Sequence, residues 1–158
     1  QAMALVVEHD RHLLENDLSE RCIAARLALY LQMEFHELDV DVEYNRLGDG
    51  VKRLSLPDDC VGRWNGVADP PAVPDVVVHS RGASGPNLLV LELKKTTNRV
   101  GSECDLIRIR AFREQLGYQY GATIECETQP NREPAVVVSA WVEDSAADES
   151  ATELPAER

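Results

Sequence analysis

The sequence predicts one α/β domain in which a mixed β-sheet carries helices on its faces. Three observations lead there. Residues 18–34 and 103–117 repeat apolar side chains at helical spacing, and the segments around them alternate or run in β-branched residues. Their order along the chain is helix, three strands, helix, two strands. At 158 residues the chain is long enough for one hydrophobic core and short for two.

In "DLSERCIAARLALYLQMEF", Ile23, Leu27, Tyr30 and Leu31 share a helix face, and Asp17 or Ser19 can cap its start. "LDVDVEYN" then alternates strictly, with Leu38, Val40, Val42 and Tyr44 on one side and Asp39, Asp41, Glu43 and Asn45 on the other, as a strand with one polar face does. Residues 46–72 have Gly, Asp, Pro and little periodicity. That is long for a passive connection, so the loop is either functional or flexible. "VPDVVVH" and "NLLVLELKK" follow as two β-rich runs, and the turn-forming "SRGASGP" between them predicts a hairpin. "ECDLIRIRAFREQLG" places Leu106, Ile109, Phe112 and Leu116 near one helical face, with Gly117 as its stop. "YQYGATIEC" and "PAVVVSAWVE" supply the last two strands.

Residues 1–142 are thus expected to form a single domain. Residues 143–158 hold six acids against Arg158 and almost no large apolar side chain, the composition of a disordered tail. The formal net charge is -12, which opposes nonspecific attraction to nucleic acid when spread evenly, but residues 44–113 hold eleven Lys or Arg against eight acids. No apolar run approaches the ~20 residues of a membrane span, and no leader pattern opens the sequence, so a cytoplasmic protein without a membrane partner is expected. Cys22, Cys60, Cys104 and Cys126 are widely spaced and form no CxxC pair. Neither a zinc site nor a disulfide framework is suggested, and isolated buried thiols are expected.

Alternation puts Leu88, Val90, Glu92 and Lys94 on one face of their strand and Leu89, Leu91, Leu93 and Lys95 on the other. Glu92 and Lys94 project together, either at a solvated sheet rim or into a cleft. Asp75 opens the preceding strand, and a hairpin can bring it beside Glu92. Two such carboxylates suit Mg²⁺, a hard ion that takes one or two carboxylates and keeps several waters. A neighbouring lysine can orient a metal-bound water and offset charge on a phosphate.

Asp75 followed by Glu92-x-Lys94 resembles the motif of the PD-(D/E)XK, or restriction-endonuclease-like, nuclease superfamily. The helix before the first strand and the helix after the E-x-K strand agree with its αβββαβ core over residues 18–124. The stretches "RLALYLQ", "DVEYNRLGD", "PDVVVHSRG" and "LLVLELKK" also look like a group of small uncharacterised bacterial proteins assigned to that superfamily. The resemblance implies a Mg²⁺- or Mn²⁺-dependent endonuclease that hydrolyses phosphodiester bonds, with DNA ahead of RNA as substrate. It makes Asp75 and Glu92 the metal ligands and Lys94 the catalytic lysine.

Glu20 would be the acid that many of these nucleases add from the first helix. It also lies on that helix's apolar face, three residues before Ile23 and seven before Leu27. A capping box with Asp17, or a favourable charge at the helix dipole, explains it equally well. Glu43 is an auxiliary candidate by its place in "EYNR", set against a solvated polar face shared with Asp39 and Asp41. Lys95, Arg46, Arg110 and Arg113 are candidate phosphate contacts, as are Lys52, Arg53, Arg63, Arg99 and Arg108, although solvated charge is the default for each. Trp64 can stack on a base or anchor its own loop. Homodimerisation would place two sites on opposite strands. The alternative function is a nuclease-fold protein that no longer cuts and serves as a binding or assembly module.

Overall fold

A computed structural model describes residues 1–61, 71–82, 85–98 and 103–142. Two short helices, α1 (Ala2–His9) and α2 (Arg11–Glu15), precede the expected first helix, α3 (Glu20–Gln32). Neither was anticipated, because each is too short to display a helical period. Ala2, Val6 and Leu14 bury with Ile23, Leu27 and Tyr30 of α3. The carboxylate of Asp10 locks the corner by pairing with Arg26 at 2.7 Å and accepting from the Tyr30 hydroxyl at 2.6 Å. Of the two predicted caps, Ser19 is the one used: its backbone is extended and its hydroxyl accepts from the amide of Cys22.

Strand β1 (Asp39–Val42) is shorter than the alternating segment, because Glu43 turns the chain with φ of 54°, in the left-handed region. The described residues of the predicted loop contain a two-strand ladder, β2 (Arg46–Leu47) with β3 (Gly50–Val51), and a 3₁₀ turn at Asp58–Cys60. Then come β4 (Val76–His79), β5 (Asn87–Lys95), helix α4 (Glu103–Leu116), β6 (Tyr118–Glu127) and β7 (Ala135–Trp141). The main sheet runs β1-β4-β5-β6-β7. Its β5–β6 pair is parallel, joined by the α4 crossover, and the other pairs are antiparallel. The chain is therefore mixed α/β around a five-stranded mixed sheet. The β4–β5 hairpin stands where the turn residues predict it.

Helices α1 to α3 cover one face, over Val76, Leu91, Leu93, Ala122 and Ile124. Helix α4 covers the other, where Ile109 and Phe112 meet Val77, Val90 and Tyr118. Gly121 on β6 allows this close approach, since a Cβ there would collide with the side chain of Ile109. Gly117, with φ of 70°, stops α4 and turns it into β6.

Two expectations about the 46–72 segment are overturned. Lys52 is no phosphate contact: only 1% of it is exposed, and its Nζ donates to the Tyr118 hydroxyl at 2.6 Å and the Tyr44 carbonyl at 3.1 Å while lying over both rings. The loop is thus clamped to the α4 face of the sheet by a buried amine between two tyrosines. Nor are all cysteines isolated thiols. Cys60 and Cys104 form a disulfide that ties the 3₁₀ turn to the first turn of α4, while Cys126 is a buried free thiol and Cys22 an exposed one. Folding brings these two positions together from 44 residues apart, which spacing alone cannot announce. Arg63, Trp64, Arg99 and the acidic 143–158 segment lie outside the described residues. Among the described residues no helix is long and apolar enough to cross a membrane.

Candidate active site

Strand β5 outruns its hairpin partner. Pairing with β4 reaches Val76 opposite Leu91, whereas β5 continues to Lys95 along β6. The amide N–H groups on the overhang are satisfied by side chains: Leu93 donates to the Asp75 carboxylate at 2.7 Å and Lys95 to the Glu20 carboxylate at 2.9 Å. Asn98 also donates to Glu20, at 3.3 Å. Two carboxylates from distant parts of the chain are therefore held at the same strand edge by backbone hydrogen bonds that fix their position.

Glu92 and Lys94 project from β5 toward α4, the parity that alternation predicts. They meet two residues one helical turn apart on that helix. Arg108 donates to Glu92 at 3.1 Å and to the Val73 carbonyl at 3.0 Å, and Asp105 accepts from Lys94 at 3.3 Å. Glu20, Asp75, Glu92, Lys94, Asp105 and Arg108, with Val73, Leu93 and Asn98, line a cleft of about 290 Å³. Four carboxylates thus face two cationic side chains, an excess of two negative charges when all are ionised.

The electrostatics reflect that excess. Burial pushes the Glu92 carboxyl up to about 8, and Asp75 adds to the rise, while Arg108 only partly offsets it. Asp75 is also raised, first by burial and then by Glu20, despite the hydrogen bond from Leu93. Burial, the largest single effect, works against the charge of Arg108, but Glu92, Asp75 and Asp105 together outweigh it and raise the group. Both central carboxylates lack positive charge that a bound cation can supply. Among the described residues no three His, Cys, Asp or Glu side chains converge into a metal cage of their own. Asp75 and Glu92 are the two carboxylates of the cleft that could hold a cation, with water completing its shell.

The remaining candidates divide. Glu43 pairs with Arg21 at 2.7 Å and does not line the cleft. Lys95 points to the opposite face of the sheet, as alternation predicts, and is held by Asp17 at 2.9 Å. Arg113 donates to the carbonyls of Gln119 and Val142, bracing α4 against the last strands. Arg46 and Arg110 are exposed. His79 is buried beside Asp41 at the far end of β4, where Arg81 also pairs with Asp41. Asp105 was not singled out from the sequence, and Arg108 appeared only as one basic residue among many. Their signal was the D-x-x-R spacing in the first turns of the helix after E-x-K, which has meaning only once that helix is known to cross over Glu92 and Lys94. No protein-family model, curated protein or solved structure matches the chain.

Proposed function

We infer that the protein is a divalent-metal-dependent phosphodiesterase acting on nucleic acid, DNA ahead of RNA, on a restriction-endonuclease-like core. The observation that carries this reading is the sharing of one cleft by Asp75, Glu92 and Lys94, with both carboxylates raised toward their neutral forms. The order α3, β1, β4, β5, α4, β6 is in keeping with the αβββαβ core.

Asp75 and Glu92 would hold Mg²⁺ or Mn²⁺, which when bound polarises a phosphate oxygen and acidifies water. Lys94, on the same strand face as Glu92, is placed to orient the attacking water and to offset charge on the phosphate. The water oxygen would bond to phosphorus, its proton passing to solvent, as the bond from phosphorus to the leaving sugar oxygen breaks and that oxygen takes a proton from solvent; the burial of Glu92 strengthens the electrostatic contacts. Glu20, fixed by the Lys95 amide, adds negative charge beside Asp75 and so favours a cation there.

A second reading, a nuclease-fold binding or assembly module that does not cut, draws on one specific observation: Glu92 and Lys94 already have ion-pair partners in Arg108 and Asp105. The two readings separate in an assay of single- and double-stranded DNA and RNA with Mg²⁺ or Mn²⁺. Cleavage that needs the metal and falls roughly 10²- to 10⁴-fold in Lys94→Ala, with folding unchanged, supports the enzyme. Absence of cleavage on every substrate supports the module.

A further inference from the structure

The E-x-K of β5 faces its own charge-inverted counterpart on α4. Glu92 and Lys94 are two residues apart on a strand, and Arg108 and Asp105 are three apart on a helix. Each spacing keeps its pair on one face, so the four side chains meet as two ion pairs, Glu92 with Arg108 at 3.1 Å and Lys94 with Asp105 at 3.3 Å. These pairs are partly buried: 8% of the Glu92 side chain, 17% of Lys94, 23% of Asp105 and 28% of Arg108 are exposed. Neither cation is therefore simply solvated, and Glu92 is the acid on which both the metal reading and the Arg108 contact converge.

We propose that Asp105 and Arg108 form an internal latch on the site: Arg108 occupies the cation position at Glu92 until a divalent ion displaces it, and its guanidinium then serves as a phosphate-binding group. The proposal rests on the metal-site reading of Asp75 and Glu92 and adds to it a competition within the cleft. Three features favour it. Arg108 already supplies positive charge at the carboxylate that a metal would use, because Glu92 Oε1 accepts from both Nε and Nη2 of the guanidinium. The guanidinium keeps a second anchor, the Val73 carbonyl, immediately beside the Pro74–Asp75 segment, so releasing Glu92 leaves it at the cleft. A planar guanidinium with five donors is well matched to a phosphate once the carboxylate is gone. Asp105 acts in parallel by neutralising Lys94 while no phosphate is present. The latch keeps both cationic side chains paired with carboxylates until a divalent ion reaches the cleft.

The test is Mn²⁺ binding to the full chain without nucleic acid, followed by electron paramagnetic resonance of the free ion, in wild type, Arg108→Ala, Arg108→Lys and Lys94→Ala. Measured above pH 8, where the Glu92 carboxyl is ionised, removing the competing cation is expected to tighten Mn²⁺ binding in Arg108→Ala on the order of tenfold, with Arg108→Lys between it and wild type. In the same variants, metal-dependent cleavage is expected to fall even at saturating Mn²⁺, which a merely structural role for Arg108 does not combine with tighter binding. Should Arg108→Ala fold poorly, the lysine variant carries the comparison, with circular dichroism as the check on folding. Wild type that binds Mn²⁺ with unchanged or weaker binding in both Arg108 variants overturns the latch and leaves the metal site standing. Absence of Mn²⁺ binding in all four proteins overturns the site itself, and the latch with it.

Discussion

Arg108 on α4 holds Glu92 on β5 at 3.1 Å, the contact on which the proposed latch turns. Glu92 as a whole residue is 6% exposed and sits at about 8, because burial, with Asp75 and Asp105 adding to it, outweighs what one guanidinium offsets. A buried acid under this tension is costly to the fold unless a further cation arrives. Such tension is common where binding groups are held ready for a ligand.

Asp75→Asn tests the stability side of that tension. The amide oxygen can still accept from Leu93, while the charge facing Glu20, Glu92 and Asp105 disappears. Thermal melts without metal are expected to show a gain of about 0.5–2 kcal/mol. On the proposed metal site, Mg²⁺ or Mn²⁺ is expected to stabilise wild type and not this variant.

The pH dependence of metal binding follows from Glu92. Its folded value of about 8 lies above the usual 4.5, so the folded chain holds a proton that the unfolded chain releases between those values. Stability from this group is full below 4.5 and is lost as the pH rises through 8. On the proposed site a divalent ion would displace that proton, so Mn²⁺ affinity is expected to rise up to about tenfold per pH unit below 8 and to level off above it. Titration calorimetry from pH 6 to 9 in buffers of different ionisation heat reads the released proton directly.

Lys52 predicts a separate effect. Burial lowers it from 10.5 to about 8, so the unfolded chain binds the extra proton between those values and stability rises with pH across that window. Tyr118, raised above its usual 10.0 first by burial, works in the opposite direction above pH 10. Melting temperature should therefore climb from pH 8 to a maximum near 10. In Lys52→Met the climb should flatten, which a pH series of thermal melts in metal-free buffer checks.

The Cys60–Cys104 bridge closes a long loop and anchors the end of α4 that bears Asp105. By chain entropy, cross-linking residues 44 apart contributes ~4 kcal/mol. Dithiothreitol, or Cys60→Ser with Cys104→Ser, should lower the melting temperature and weaken cleavage through the looser helix. An unchanged melting temperature after complete reduction would mean that the Lys52 clamp alone holds the loop.

Much of the site was legible because strands enforce a period of two: alternation put Glu92 and Lys94 together and Lys95 away, and the turn residues at 80–86 foretold the hairpin that brings in Asp75. Glu20 was less legible. Its two local explanations, cap and dipole, are matched in sequence by any acid at a helix start, and only the Lys95 amide shows what it holds. Arg108 and Asp105 were illegible as partners because their register against β5 depends on how closely α4 approaches the sheet at Gly121. The Lys52 clamp was hidden for a similar reason: a lysine in a polar loop reads as solvated until two tyrosines from other segments close over it.

The most direct measurement is an anomalous difference map from crystals soaked in Mn²⁺. An ion bound to the Asp75 and Glu92 carboxylates, completed by waters, with Lys94 beside it and Arg108 withdrawn from Glu92, is the predicted result. A cleft without an anomalous peak at saturating Mn²⁺, and with the Glu92–Arg108 pair intact, would contradict the account.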